Sequence, residues 1–334
     1  MRTDVTITVD TEFSIAGAFD DFRRNKPLAE EAVYCAVNGR SQGLGFLLDV
    51  FQHYGIDATF FVEAINVRYF GDRRMGDIAR QIAEAEQDVQ LHVHPCWAAF
   101  RNGELPPELH HARNDSCAGR DAAELRDIIR IGLDAFDAWG LPRPVALRTG
   151  SFFSDMNVFR VMRKLGLPLA SNVCLGVHRP REPELQLTGG RHFIEGVMEL
   201  PVLSFEDMPG LRPGHLRPLQ ITACSLKEIK AVLWAAHEAG VENVVILTHP
   251  FEYVKRKDFR YRKLTRNRVN QRRLAGLCAF LKANERRFRA VSFGRGGQEW
   301  LARGAAPAPA IRSGLGATVA RMAENKINDL IWAY

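Results

Sequence analysis

Strand-like and helix-like segments alternate from Thr3 to about residue 295, and this alternation limits the chain more than any other feature. Short apolar runs that end at polar residues stand at 3–9 (TDVTITV), 57–62 (DATFFV), 88–93 (DVQLHV), 145–149 (VALRT), 168–173, 192–203, 219–224, 243–248 (NVVILT) and 289–293. Between them lie stretches with apolar residues three and four apart. The helix over 44–55 has Leu44, Leu47, Leu48 and Phe51 in register, and the one over 122–139 has Leu125, Ile128, Ile129, Leu133 and Phe136. Others are expected over 75–85, 154–166, 225–239 and 269–288, the fourth opened by a Ser154 or Asp155 cap. Such alternation implies an α/β fold with a mostly parallel sheet and helices outside it. A closed barrel and an open doubly wound sheet fit the periodicity about equally well.

The chain has 334 residues, enough for one large barrel with a tail. We expect a catalytic barrel over 1–300 and, over 301–334, a linker (RGAAPAPAIRSG) followed by an amphipathic helix. Composition is that of a water-soluble protein, 46% hydrophobic and 25% charged, with no apolar run long enough to span a bilayer. The opening MRTDVTITVDTEF reads as a strand rather than a secretory leader. The six cysteines form no CxxC pair, so free thiols and a cytoplasmic location are expected. Neither GxGxxG after the first strand nor GxxxxGK[ST] occurs, which removes support for dinucleotide and nucleotide-phosphate cradles. The net charge of +6 is local in origin: residues 255–273 carry ten Lys or Arg against Asp258 alone. That run reads as a solvated face or as a contact for an anionic substrate or membrane surface. No nucleic-acid module accompanies it.

Polar residues that can carry chemistry sit at four strand ends: Asp10 with Glu12, His92 with His94, Arg148, and His249. Parallel sheets gather their C-terminal strand ends at one edge, where α/β folds place their sites. Two residues apart on a strand, His92 and His94 leave the same face, as do Asp10 and Glu12. Two imidazoles and a carboxylate can close on one divalent ion, leaving room for water, and a second carboxylate can take a proton from that water. Paired histidines on a strand are also compatible with buried hydrogen-bonding groups. Arg148 suits either a salt bridge at the core edge or the task of holding the Asp10 carboxylate in place. His249 suits either a structural role or proton donation to a leaving amine. Trp97, Phe100, Phe251 and Tyr253 are candidates for pocket walls or for plain packing.

In the order VDTE, ATFFV, VQLHVHPCW, LRTG and ILTHPF, the chain resembles the polysaccharide deacetylase family, the NodB-homology group of carbohydrate esterases, over about residues 3–295. The resemblance implies a distorted seven-stranded (β/α) barrel and metal-dependent hydrolysis, with Zn²⁺ the usual ion, of an acetylated amino sugar or related amide. By the same resemblance Asp10, Arg148 and His249 take part in the reaction. The family's first motif has a second aspartate where this chain has Thr11, and its second motif a second histidine where this chain has Cys96. Glu12 and His94 are the expected replacements, giving Glu12, His92 and His94 as the metal set, with Cys96 as a further soft ligand candidate. For the acid that orients His249, the chain offers Glu206 or Asp207. Two other readings fit the same residues: a hydrolase of another small linear amide, and a non-catalytic carbohydrate-binding protein.

Overall fold

The computed structural model describes residues 2–110, 113–207 and 215–331. Its main sheet has ten strands: β1 (Thr3–Thr11), β2 (Thr59–Glu63), β3 (Asp88–Val93), β4 (Ala146–Thr149), β5 (Leu169–Ala170), β6 (Gly190–Ile194), β7 (Val197–Glu199), β8 (Asn243–Thr248), β9 (Phe288–Ala290) and β10 (Ala306–Pro307). They run in the order β8-β1-β2-β3-β4-β5-β7-β6-β10, with β9 paired beside the start of β1. Neighbours from β8 to β7 are parallel, and β6 and β10 pair antiparallel at the far end. The expected seven-stranded barrel is thus corrected to a curled, partly open mixed sheet. Across the gap, single bridges join Val202 to Val245 and Gln220 to Leu247 instead of a continuous ladder.

Both faces of the sheet are buried, so all nine residues of β1 are covered and its strand reads as apolar and threonine-rich. One face packs on the helices, through Val62, Leu91, Val93 and Leu147 among others. The concave face encloses a smaller core around Phe61, Ala146, Leu169, Met198, Val245 and Trp300. Helices Leu44–Tyr54, Asp72–Glu84, Ala122–Ala138, Met156–Lys164, Leu226–Glu238 and Arg268–Ala283 lie close to their expected bounds. Asp121 caps the third of these, accepting from the N–H groups of Ala123 and Glu124 at 2.8 Å each. Asp155, not Ser154, caps the fourth.

Three segments differ from expectation. Residues 192–203 are not one strand but a hairpin, because Glu195 (φ 50°) and Gly196 (φ 82°) turn the chain between β6 and β7. Instead of a strand over 219–224 there is the short strand Leu216–Pro218 and the one bridge at Gln220. The strand expected over 289–293 ends at Ala290, and the GRGG that follows is helical within Phe293–Arg303, started by Ser292. A Cβ on Gly297 would lie 2.4 Å from Leu169 Cδ1, so the glycine allows the helix to close on the sheet. The last helix, Leu315–Ile331, docks through Arg321, whose guanidinium is buried between Glu228 (2.6 Å) and Asp207 (2.8 Å). Residues 332–334 of the expected C-terminal helix lie outside the described residues.

Candidate metal centre and its surroundings

Strand register brings the distant residues to one level. His92 is opposite both Glu63 and Arg148, while Val9 is opposite Thr248, so His249 follows at the height of Asp10. Glu12 extends β1 by one residue onto the same rim.

There the two histidines converge on Glu12. Its Oε2 lies 2.8 Å from His94 Nε2 and 4.0 Å from His92 Nε2, and one ligand atom from each of the three residues lies within 4.8 Å of the others. Ligands about 2 Å from a tetrahedral ion stand about 3.3 Å apart, so a divalent cation needs side-chain shifts on the order of 1 Å. The other ring nitrogens are already engaged. His92 Nδ1 lies 2.9 Å from the Arg148 carbonyl, and His94 Nδ1 lies 2.8 Å from Asp115 Oδ2. A histidine held through one nitrogen presents the other as a lone pair, the pattern that orients metal-binding imidazoles. The donor set fits a divalent ion, although nothing in it selects zinc over another.

Glycine is required beneath this pair. A Cβ on Gly150, the glycine of LRTG, would lie 2.3 Å from His94 Nδ1. Glu63 is fully buried nearby and caps the turn after β2, accepting from the Ile65 (2.7 Å) and Asn66 (3.1 Å) N–H groups. Burial pushes its carboxyl up to about 8, against the lowering effect of His94 and those two N–H groups. Cys96 does not join the metal set. Its thiol is buried outside the cluster of ligand atoms, and that burial together with Asp115 holds its pKa well above the usual thiol value.

Burial drives His92 down to about 4, against the pull of Asp10. Burial acts the same way on His94, yet Glu12 and Asp115 on its two sides hold it well above its ordinary value. Glu12 is correspondingly lowered to about 2, since His94 outweighs the effect of burial.

Beside this set stands Asp10. Arg148, fully buried, reaches it at 2.6 Å through Nη1 and also donates to Thr8 Oγ1 (2.9 Å), the Ser171 carbonyl (3.1 Å) and Ser171 Oγ (2.7 Å). His249 Nε2 is 3.9 Å from the other Asp10 oxygen. Its Nδ1 is 2.8 Å from Glu252 Oε1, and Glu252 is fixed by Gln220 (2.6 Å) and Thr248 (2.8 Å). Burial lowers the His249 pKa, but the Glu252 hydrogen bond and charge, followed by Asp10 and Glu12, raise it to about 9.

Glu252 is therefore the acid that orients His249; Glu206 and Asp207 are not. Glu206 pairs with Arg312, and Asp207 with His215, Arg217 and Arg321. Asp115 and Glu252 both went unassigned in the sequence. Glu252 lies three residues beyond His249 in the THPFEY segment, a spacing that one tight helical turn brings together.

A cavity of about 360 Å³ opens on the centre, walled by Glu12, His94, Trp97, Phe251, Arg256 and Tyr261 among others. Residues 13–17 line it as well, together with Phe19, Asp20 and Ala32. Of the four aromatic wall candidates, Trp97 and Phe251 line the cavity. Phe100 and Tyr253 are buried in the core and do not.

No family model and no curated protein matches the sequence. Solved structures do. A protein from Mycobacterium smegmatis assigned as a polysaccharide deacetylase is similar with a TM-score of 0.54 at 15% identity, over 92% of this chain and 93% of that one. This chain has the fold of that deacetylase structure. A protein from Parabacteroides distasonis assigned as a glycoside hydrolase/deacetylase gives 0.53 at 12%, over 90% of this chain and 71% of that one. At these identities the likeness to deacetylase structures extends to the fold and no further.

Proposed function

We propose that this protein is a metal-dependent amidohydrolase that removes an acetyl or similar acyl group from the amide nitrogen of a sugar or polysaccharide precursor. The observation that carries this reading is the convergence of His92 Nε2 and His94 Nε2 on Glu12, next to the Arg148-held Asp10. Two imidazoles, one carboxylate and an open side toward a cavity suit catalytic zinc. A cation held there supplies Lewis acidity to the amide carbonyl and makes water a better acid.

The chain's own groups supply the rest. Asp10 accepts the proton of the attacking water, and Arg148 positions that carboxylate without touching substrate. His249, kept protonated through neutral pH by Glu252, donates to the departing nitrogen. The reading also takes the reaction to be cytoplasmic, which the six free cysteines support. Among the described residues no helix is long and apolar enough to cross a membrane.

Release of acetate from N-acetylated sugars by the zinc-loaded protein tests the reading, with small linear amides and O-acetyl sugars as comparators. Turnover should fall about 10²–10⁴-fold in Asp10→Asn. A second reading, carbohydrate binding without turnover, is favoured by one feature: His94 lies between two carboxylates, so its charge is balanced without a cation. Sugar binding with no acetate release, unchanged in Asp10→Asn, would support that reading over hydrolysis.

A further inference from the structure

Arg256 stands in the cavity wall with no carboxylate partner among the described residues, unlike Arg113 across the cavity, which pairs with Asp115 at 3.1 Å. Its guanidinium donates to the Tyr261 hydroxyl and lies over two rings, 4.8 Å from that of Tyr261 and 6.0 Å from that of Phe251. Phe251 in turn stacks on His249, with centroids 4.8 Å apart and an interplanar angle of 27°. Arg256 and Phe251 thus line the cavity, and Phe251 carries the stack on to His249, the group assigned to the leaving nitrogen. A short hairpin fixes this wall, because Arg256 ends the strand Val254–Arg256 that pairs with Leu264–Arg266.

A guanidinium held against aromatic faces keeps its charge and its planar fork of donors, which match a carboxylate or a phosphate. Glu12, also in the cavity, is engaged by His94 and offers Arg256 no counter-ion. Building on the amidohydrolase reading, we infer that the substrate carries an anionic group, carboxylate or phosphate, on its amine-bearing part, and that Arg256 receives it. This gives one member of the 255–273 basic run a role inside the site. Asp20 lines the same cavity and opposes an anion, so its removal should act in the reverse direction to removal of Arg256.

Three probes separate the possibilities: N-acetylglucosamine (neutral), N-acetylmuramic acid (carboxylate) and N-acetylglucosamine 6-phosphate. With zinc-loaded protein, kcat/KM for at least one anionic probe should exceed that for the neutral one by tenfold or more, expressed in KM. Arg256→Ala should remove that preference, Arg256→Lys should restore part of it, and Asp20→Asn should strengthen it, each variant being checked for unchanged circular dichroism. Equal treatment of all three probes by the wild type, or a preference that survives Arg256→Ala, overturns the inference and leaves the amidohydrolase reading standing. Should no probe be hydrolysed, that reading fails separately, and calorimetric titration of the same probes decides the role of Arg256. At least tenfold tighter, salt-sensitive binding of an anionic probe, lost in Arg256→Ala, supports the inference, and anything less contradicts it.

Discussion

His249 Nδ1 and Glu252 Oε1 are 2.8 Å apart, joined across a single tight turn, and Gln220 and Thr248 hold the carboxylate in place. The imidazole is consequently raised to about 9, above its ordinary 6.5. Its protonated form adds stability that is fully present below pH 6.5 and is lost as pH rises through about 9. If His249 is the proton donor, activity should fall over the same alkaline range. Glu252→Gln keeps an acceptor but removes the charge, so the alkaline limb of the pH–rate profile should move toward neutrality. NMR titration of His249 should show the same shift, and an unmoved limb would separate His249 from the proton donor.

Arg148 connects Asp10, Thr8 and Ser171 from a fully buried position. Arg148→Met removes the cation and leaves the Asp10 carboxylate, itself only 3% exposed, without its charge partner. Loss of one partner of such a pair costs about 3–5 kcal/mol. Urea unfolding followed by circular dichroism should show a decrease of that size, and a change below about 1 kcal/mol would contradict the buried-pair account.

Asp115 holds His94 by its second nitrogen, from a loop 21 residues further along the chain. Removing such a support lowers metal affinity by about 10–100-fold. Asp115→Ala should show this in competition with a chelator, with little change in unfolding midpoint. Unaltered affinity would mean that the histidine is oriented without it.

Gly150 offers an independent approach to the same imidazole. Gly150→Ala brings a methyl group against the His94 ring, where a Cβ would lie 2.3 Å from Nδ1. Metal affinity should drop tenfold or more while the fold is kept. Wild-type affinity in this variant would show that the ring can move away without leaving the site.

The strands that build the site were legible because each ends in a polar residue after an apolar run, and the i, i+2 spacing of Asp10 with Glu12 and of His92 with His94 fixes a common face. Thr11, between the two acids, faces away and donates to the Val9 carbonyl at 3.4 Å, which leaves Glu12 to stand with the histidines. What periodicity does not encode is register and loop return. Asp115 reaches His94 through a polar loop without apolar repeats, and the acids at 206 and 207 are close to a strand end but serve Arg312 and Arg321. The hairpin at Glu195–Gly196 was hidden because apolar residues stand on both sides of the two-residue turn, Phe193 and Ile194 before it and Val197 and Met198 after it. The glycines at 296 and 297 suggest a turn to local reasoning, whereas close packing on Trp300 and Leu169 makes them helical.

Metal content tests the central claim most directly. Protein loaded with zinc and dialysed should hold one equivalent of the ion by elemental analysis. Paired replacement of His92 and His94 by alanine should reduce this to a trace, and Glu12→Gln should weaken retention. Stoichiometric zinc kept by the double variant, or none bound by the wild type, would contradict the assignment of Glu12, His92 and His94 as the metal centre.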